Sequence, residues 1–320
     1  MNSFGNSFRV SIFGESHGPM IGVVMDGVPF GLSLTPEDFK NDIDRRRPTG
    51  EAGTKRKESD EPRIVTGVLD GVTTGAPLTI LFENENTRSS DYSQFRDIPR
   101  PGHADFAAAI KYSGYNDLRG GGHFSGRLTL CLVAAGVVAK KILKENGIKI
   151  KAKVLSIGGK RYDPNQPIQF PSNGDSLGGV VECRCYDVPA GAGEPFFDSI
   201  ESVIAHLAFS IPGVRGIEFG DGFKAANMTG SQHNDCFVNA EGETSTNSSG
   251  GINGGLANGN PIVFRVAIKP TSSITTPQKT FNFETNQMDT LVIKGRHDKC
   301  IALRCPVIVE SIAALALLQF

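Results

Sequence analysis

Residues 128–143 read LTLCLVAAGVVAKKIL and residues 302–317 read ALRCPVIVESIAALAL, two stretches that are apolar on almost every side of a helix. A helix without a polar face needs other elements to cover it on all sides. The second stretch carries Arg304, Glu310 and Ser311, which argues against a membrane span. The two stretches therefore predict a pair of buried helices in the interior of a globular protein.

Short motifs recur in the same order in the two halves of the chain. A Val-Pro-x-Gly turn stands at 28–31 and again at 188–191, and the sequences GAPL (75–78) and GNPI (259–262) each lead into a predicted strand. One interpretation is an internal duplication. The alternative is a chance similarity in glycine and proline positions, which mark turns in many folds.

The repeated unit has the order strand, helix, strand, strand, loop, helix, and it runs from about residue 20 to 155 and again from about 180 to 317. Neither copy closes on its own, because each ends in an apolar helix that needs a cover. The sequence therefore predicts an α+β fold. Residues 1–320 would form a single intertwined domain in which sheets flank a central helical layer.

Composition excludes several classes of protein. The 320 residues include 33 Lys and Arg against 34 Asp and Glu, a net charge of −1, so no overall positive field is available to hold a nucleic acid. No window of about 18 residues is uninterruptedly apolar, and residues 1–8 lack the parts of a signal peptide. The six cysteines lack the spacing of a zinc site. We expect a cytoplasmic protein with no metal, no membrane partner and no nucleic-acid partner.

Two histidines stand in short turns from which an imidazole can exchange a proton near neutral pH. His17 lies in GESHG (14–18), where a predicted strand ends, and His103 lies in RPGHAD (100–105). Each site has a structural alternative. His17 can satisfy the backbone of its own loop, and Asp105 can either orient His103 or cap the helix that follows.

A glycine run, RGGGHFSGR (119–127), precedes the first apolar helix. Glycines let the backbone approach a ligand, and a helix N-terminus favours an anion. Arg127 in the first turn opposes the helix dipole, which is understandable if a phosphate or carboxylate lies beside it. The run matches neither a P-loop nor a dinucleotide-binding fingerprint, and GGINGG (250–255) fails the same tests. A plain turn is the alternative for both runs.

Three further blocks concentrate positive charge. KPTSSI (269–274) ends a predicted strand with a cation and three hydroxyls, a set that can hold a phosphate and the ring carbonyls of a cofactor. KGRHD (294–298) places cations, an imidazole and a carboxylate together, and RRR (45–47) can clamp a multiply charged anion. The alternative for each block is a solvated loop or helix end.

In combination, these blocks resemble the chorismate synthase family. The resemblance covers nearly the whole chain, and it is specific because the blocks occur in the family's order. The matching blocks are 14–18, 26–29, 44–48, 100–105, 119–129, 188–191, 220–223, 250–252, 269–274 and 295–298.

The resemblance implies a lyase that converts 5-enolpyruvylshikimate 3-phosphate to chorismate and phosphate by 1,4-anti elimination. This reaction is the last common step of the shikimate pathway for aromatic amino acid biosynthesis. The family requires reduced FMN although no net oxidation or reduction occurs, and NADPH is the candidate reductant. The implied fold is a β-α-α-β layered sandwich with an internal duplication, and the implied assembly is a homotetramer.

The family's catalytic and cofactor-binding roles carry over by position. His17 matches the acid that protonates the departing phosphate, His103 the histidine that protonates the reduced flavin, and Asp298 the carboxylate that helps flavin N5 take the C6 proton. The residues that match FMN contacts are His123, Phe124, Ser125, Pro212, Gly213, Gly254, Lys269, Pro270, Thr271, Ser272, Ser273 and Arg296.

Arginines complete the implied site. Arg46 matches an arginine assigned to the anionic substrate or NADP, and Arg45 and Arg127 are grouped with it. The chain departs from the family at Ala52, where another arginine is common, and one of the basic residues at 55–56 is the alternative.

Two rival functions use the same features. An NAD(P)H-dependent flavin oxidoreductase would use the same glycine and arginine sites and would show net oxidation or reduction of its substrate. An anion-binding or RNA-associated protein would use the basic residues at 45–47 and 55–57, and its affinity would fall steeply with salt.

Overall fold

Two antiparallel five-stranded sheets form the outer layers of the fold. The computed structural model describes residues 1–48, 53, 58–86, 89–293 and 297–320. In these ranges the strands are β1 (Ser3–Phe4), β2 (Arg9–Gly14), β3 (Met20–Asp26), β4 (Arg63–Thr66), β5 (Val68–Leu69), β6 (Val72–Thr73), β7 (Leu78–Glu83), β8 (Lys149–Ile157), β9 (Lys160–Arg161), β10 (Gly179–Tyr186), β11 (Val214–Phe219), β12 (Ile252–Asn253), β13 (Leu256–Ala257), β14 (Ile262–Ile268), β15 (Gln278–Asn282) and β16 (Gln287–Leu291). The α-helices are α1 (Glu37–Arg46), α2 (Asp105–Lys111), α3 (Thr129–Glu145), α4 (Ile200–Ala208), α5 (Gly230–His233) and α6 (Pro306–Leu317). Short 3₁₀ segments lie at Ser89–Arg96, Arg119–Phe124, Gly126–Leu128, Phe196–Asp198, Gly222–Asn227 and Ile301–Arg304.

Four strands of each sheet repeat one topology, and the fifth, an edge strand, comes before its neighbour in the first sheet (β1) and after it in the second (β9). The first has the strand order β4-β7-β3-β2-β1, and the second has the order β11-β14-β10-β8-β9. The helices repeat as well, since α1 follows β3 as α4 follows β10, and α3 follows β7 as α6 follows β14. This correspondence confirms the predicted internal duplication. Strand β8 pairs with β10, so residues 149–155, which we assigned to the end of the first repeat, lie in the second sheet.

Helices α3 and α6 form the centre of the molecule. They pack against each other between the sheets, α3 also contacts β3, α6 also contacts β8 and β10, and α1 and α4 flank the pair. Residues 307–317 of α6 are all buried. The layers confirm the predicted β-α-α-β sandwich. Helix α6 begins only at Pro306 and not at 302, because proline fits the first turn of a helix and residues 301–304 form a 3₁₀ turn.

A glycine lets the two central helices approach closely. A Cβ atom on Gly136 of α3 would lie 2.2 Å from Cβ of Ser311 on α6. Ser311 is fully buried, and its hydroxyl donates to the carbonyl oxygen of Val307 at 2.7 Å within the same helix.

None of the helices in the described ranges has the length and hydropathy that a membrane span requires.

A buried carboxylate ties the central layer to its neighbours. Glu310 of α6 accepts two hydrogen bonds of 2.7 Å from Arg45 of α1. It also accepts a bond of 2.9 Å from the backbone of Ala152 in β8, and Lys140 of α3 lies 3.6 Å away. A buried carboxylate with several charged and backbone donors is well compensated. These contacts fix the relative positions of α1, α3, α6 and β8.

Candidate active site

A large cavity opens where loops from both halves of the chain meet. Its volume is about 1120 Å³. Sites for one small ligand are typically about 300–1,000 Å³, so this cavity has room for a substrate beside a cofactor. The lining residues come mainly from the segments 46–48, 58–60, 100–105, 116–127, 209–215, 269–273 and 297–304.

Most of the residues predicted to be functional line this cavity. They are Arg46, His103, His123, Phe124, Ser125, Arg127, Pro212, Gly213, Lys269, Pro270, Thr271, Ser272, Ser273 and Asp298. His17, Arg45 and Gly254 are not among the lining residues, and Arg296 lies outside the described residues. The fold therefore gathers blocks that are far apart in the sequence, while the role of each residue stays a prediction.

The glycine run forms a wall in front of His17. Residues 120–122 all have positive φ (60°, 85° and 53°), which glycine adopts readily. A Cβ atom on Gly120 would lie 2.0 Å from Nδ1 of His17. Gly120 is thus required by the close approach of the imidazole, where the sequence suggested a ligand. His17 itself is buried, and its ring centroid lies 5.1 Å from that of Tyr92.

His103 lies at the junction of the two halves, where its Nε2 is 2.8 Å from the hydroxyl oxygen of Ser273. Burial, and next the positive charge of Arg100, lower the pKa of His103 to about 4. The imidazole is therefore neutral at pH 7. Asp105 is bound to Arg100 and not to the ring, through two bonds of 2.7 Å. Asp105 is the first residue of α2, but the N-cap is Ala104 and no side chain caps the helix, so Asp105 neither orients His103 nor caps α2.

Asp60 lies between the buried guanidinium groups of Arg46 and Arg127. It forms an ion pair with Nη1 of Arg127, and its Oδ2 lies 3.6 Å from Nη1 of Arg46. All three side chains are at most 6% exposed. A single carboxylate therefore compensates two arginines in the cavity wall. The sequence analysis did not identify Asp60.

Protein oxygens take most of the donors of these two arginines. Arg46 Nε donates to the Thr129 hydroxyl at 3.0 Å, and Arg127 Nε donates to Asn84 Oδ1 at 3.0 Å. Burial, followed by the nearby charge of Arg304, lowers the pKa of Arg46 to about 9, which leaves it protonated at neutral pH. The two guanidinium groups are thus fixed positive charges.

Arg45 does not reach the cavity, although it is adjacent to Arg46. Both of its terminal nitrogens donate to Glu310, and that hydrogen-bonded carboxylate raises the pKa of Arg45. Neighbouring residues of a helix point in directions about 100° apart, so Arg45 and Arg46 face different surroundings. Arg47, just after α1, lines the cavity and pairs with Asp44 at 2.6 Å. The predicted three-arginine clamp is therefore not assembled as a unit.

Asp298 and Arg304 form an ion pair in the cavity wall. Arg304 Nη2 lies 2.6 Å from Asp298 Oδ2, and both residues line the cavity. The sequence analysis did not select Arg304 as a site residue because it lies inside the second apolar stretch. A lone cation at the start of an apolar helix is the signal that could have identified it.

Lys269 and its neighbours supply hydrogen-bonding groups to another part of the wall. Lys269 Nζ donates to the carbonyl oxygen of Gly102 at 2.6 Å and to the hydroxyl of Ser272 at 2.7 Å. Among the described residues, the buried atoms of the wall without a hydrogen-bond partner include Thr271 Oγ1, Asn116 Oδ1 and Arg47 Nε. Such atoms need an explanation, and a ligand is one. A hydroxyl-rich, cationic wall of this kind fits a flavin, which brings ring carbonyls, ring nitrogens and a phosphate.

The remaining predicted cofactor contacts divide between the cavity and the surface. His123 Nδ1 lies 3.0 Å from the carbonyl oxygen of Gly14, and its Nε2 lies 2.9 Å from Asn2 Oδ1, so the ring is anchored to the N-terminal segment. Phe124 is 43% exposed and lines the cavity. Gly254 instead forms the turn between β12 and β13, away from the lining residues.

The charges in the lining define the chemistry that the cavity can support. Positive charge comes from Arg46, Arg47, Arg100, Arg127, Arg215, Lys269 and Arg304, and negative charge comes from Glu58, Asp60, Asp105, Asp117 and Asp298. Fixed cations and positioned imidazoles stabilise negative charge that develops on a bound substrate. The fold and the site therefore define an enzyme that acts on a small, multiply anionic substrate and has room for a cofactor.

Comparisons with known proteins agree with this class. The family model described as chorismate synthase matches residues 8–320. A chorismate synthase of Chitinophaga pinensis is 56% identical over 321 residues, which covers 100% of this chain and 96% of that protein. One from Korarchaeum cryptofilum is 45% identical over 344 residues, covering 98% of this chain and 95% of that protein. A crystal structure of chorismate synthase superposes with a TM-score of 0.72 at 26% identity, covering 99% of this chain and 92% of that one. The chain belongs to the chorismate synthase family.

Proposed function

We propose that this protein is a carbon–oxygen lyase that converts 5-enolpyruvylshikimate 3-phosphate to chorismate and phosphate by 1,4-anti elimination, with reduced FMN. Family membership supports the reaction. The observation that carries the proposal is that His103, Lys269, Asp298 and Arg127 converge on one cavity. The substrate bears a phosphate and two carboxylates, which are the groups that such cations bind. This reaction is the last common step of aromatic amino acid biosynthesis, and we propose a cytoplasmic location for it.

Substrate binding is assigned to the cations of the cavity wall. Arg46 and Arg127 are held by Asp60 and by neighbouring oxygens, so they supply a positive potential that is in place before the substrate arrives. Preorganised charge stabilises a departing phosphate without reorganisation during the reaction. Arg47 and Arg304 also line the cavity and add to this potential.

The FMN site is assigned to Lys269, the hydroxyls of residues 271–273 and the segments 123–125 and 212–213, together with Arg296. Bound reduced FMN would supply transient electron donation to the substrate, with no net redox change. The part of these residues is to bind the flavin, orient it against the substrate and exclude water. The unpartnered hydroxyl of Thr271 supports this assignment.

A second copy of the chain is part of the proposal. Gly254 lies away from the lining of this chain's cavity, so its FMN contact requires another subunit, as in the homotetramer that we propose. The side chains of Phe196 and Phe197 are 86% and 92% exposed. Large exposed aromatic side chains in a group are typical of surfaces that a partner covers.

Proton handling is assigned to three groups. By the family match, His17 would donate a proton to the departing phosphate, which requires that its imidazole, placed behind Gly120 and outside the cavity lining, reach the cavity. His103 would hold a proton beside the flavin, and Asp298 would assist removal of the C6 proton of the substrate. Because His103 is neutral at pH 7 without ligand, its role requires that a bound anion raise its pKa. The ion pair with Arg304 holds the Asp298 carboxylate in place.

The test mixes the protein anaerobically with chemically reduced FMN and 5-enolpyruvylshikimate 3-phosphate. We expect the absorbance of chorismate to rise with equimolar release of phosphate, while the flavin is returned unchanged. A failure to form chorismate under these conditions contradicts the proposal. The rival flavin oxidoreductase predicts net oxidation or reduction of the substrate instead.

Use of NADPH is a separate question, because Ala52 and the basic residues at 55–56 lie outside the described residues. We propose NADPH as the reductant of FMN in this protein. Omitting the chemical reductant and adding NADPH tests this directly. Chorismate formation without a second protein supports it, and the absence of chorismate shows that an external reductase is needed.

A further inference from the structure

A β-bulge in the second sheet places an arginine at the cavity. Val214 of β11 pairs with Ile268 of β14, and Gly216 pairs with Ala267, so Arg215 is an extra residue between two consecutive pairs. A bulge of this kind re-aims a side chain and is common beside functional sites. The insertion changes which residues face the core: Val214 is buried, but the next core-facing residues are Ile217 and Phe219.

Arg215 lies beside Lys269 at the cavity. Both residues line it, and the backbone N–H of Lys269 donates to the carbonyl oxygen of Gly213 at 2.9 Å, which joins the two segments. Burial, and then the positive charge of Arg215, lower the pKa of Lys269. The two cations are thus close enough to repel each other.

Neither cation is neutralised by the described part of the chain. Lys269 Nζ donates only to the neutral oxygens of Gly102 and Ser272, and no carboxylate there lies within ion-pair distance of Arg215 or Lys269. The other arginines of the wall differ in this respect. Arg100 pairs with Asp105 at 2.7 Å, and Arg304 pairs with Asp298 at 2.6 Å. Adjacent like charges are destabilising, and an anion bound between them removes that cost.

We propose that Arg215 and Lys269 together bind a phosphate monoester dianion at the cavity, and that the bulge serves to direct Arg215 to it. The guanidinium group offers paired donors that match phosphate oxygens, and the ammonium adds a point charge. The phosphate is that of FMN or that of the substrate, so the inference rests on the proposed function for the identity of the ligand.

The test compares Arg215→Gln with a matched control, Arg161→Gln. Arg161 is an exposed arginine of β9 in the same sheet and does not line the cavity. Dissociation constants for FMN and for riboflavin, which lacks the phosphate, are measured by flavin fluorescence, and that for 5-enolpyruvylshikimate 3-phosphate by calorimetry. Thermal denaturation of each variant verifies that it is folded.

We expect Arg215→Gln to weaken binding of one phosphate ligand about tenfold, as loss of a charge-assisted contact does. If FMN provides the phosphate, the affinity for FMN falls while the affinity for riboflavin is unchanged. If the substrate provides it, the affinity for 5-enolpyruvylshikimate 3-phosphate falls and the affinities for both flavins are unchanged. Arg215→Lys should retain most of the affinity in either case. Changes no larger than those of Arg161→Gln for all three ligands would overturn the proposal.

These measurements do not depend on turnover. A wild-type protein that forms no chorismate but loses phosphate affinity in Arg215→Gln would refute the proposed reaction and support the phosphate pair. A wild-type protein that forms chorismate, together with no effect of Arg215→Gln on the affinity for any ligand, would support the proposed reaction and refute the phosphate pair. The two proposals therefore fail separately.

Discussion

Replacing Asp60 by Asn tests how the two buried arginines of the cavity wall are held. The substitution keeps the size of the side chain and removes the negative charge between Arg46 and Arg127, whose side chains are 5% and 6% exposed. Neutralising one partner of a buried ion pair costs about 3–5 kcal/mol, since the other charge is left uncompensated. Both arginines keep hydrogen bonds to Thr129, Asn84 and the main chain. We therefore expect the free energy of unfolding to fall by about 3 kcal/mol.

Urea unfolding at pH 7, followed by circular dichroism, measures this loss. The matched control is Asp44→Asn, which removes the carboxylate of an exposed pair whose side chains are 42% and 48% exposed. Exposed pairs contribute about 0–1 kcal/mol, so the control should change the free energy of unfolding by less than about 1 kcal/mol. Adding Arg127→Gln to Asp60→Asn should cost less than the sum of the single changes, because the two groups interact. Equal losses in Asp60→Asn and Asp44→Asn would refute the reasoning, as would strict additivity in the double variant.

Three further predictions concern other parts of the molecule. Gly136→Ala should lower the free energy of unfolding by about 1–3 kcal/mol, because a Cβ there lies 2.2 Å from Ser311 Cβ. The control Gly230→Ala, whose Cβ meets no atom within 4 Å, should change it little. Thermal denaturation compares the two variants, and equal effects would contradict the close helix contact. Arg45→Met should lower the free energy of unfolding by about 1–3 kcal/mol, because Glu310 loses two hydrogen bonds. It should leave FMN binding unchanged in a fluorescence titration, and weaker FMN binding would show that Arg45 serves the cavity. The pKa of His103 is about 4 in the folded protein against an ordinary 6.5, so the unfolded chain binds the extra proton, and stability is lost as pH falls from about 6.5 toward 4. His103→Gln should therefore lose less stability than wild type between about pH 7 and pH 5 in urea unfolding, and equal losses would contradict the pKa shift.

The architecture was predictable because its signals are local and strong. Residues 128–143 and 302–317 are apolar on all sides, which only a central position allows, and the recurring turns at 28–31 and 188–191 marked the duplicated units. The boundary between the units was harder to place: we assigned residues 149–155 to the end of the first unit, but β8 pairs with β10 in the second sheet. Pairing across the sheet, which decides the matter, is a non-local property.

The parts of the site that escaped prediction depend on tertiary contacts. Asp60 was one acid in a polar loop, and its function appears only where two arginines from distant segments meet it. Arg215 was one residue of a strand, and the bulge that sets it apart depends on the register with β14. Helical geometry could have separated Arg45 from Arg46 in advance, because adjacent residues of a helix cannot share a face.

Gly120, which lines the cavity, shows the limit of composition as a guide. Gly120 was expected to leave room for a ligand, and the structure places the imidazole of His17 against it. A glycine records a close approach by some group, but the sequence does not say which group. Gly254 lies in the turn between β12 and β13, and only the family resemblance assigns it to FMN.

The contact between Gly136 and Ser311 also bears on how the two copies of the ancestral unit could change after duplication. Where the halves face solvent or the cavity, a change in one half does not require a matching change in the other. At the seam between α3 and α6, a larger residue on one helix is accepted only if the residue that it contacts on the other helix is smaller, and Gly136 already contacts a serine. The two central helices are therefore constrained to vary as a pair along this line.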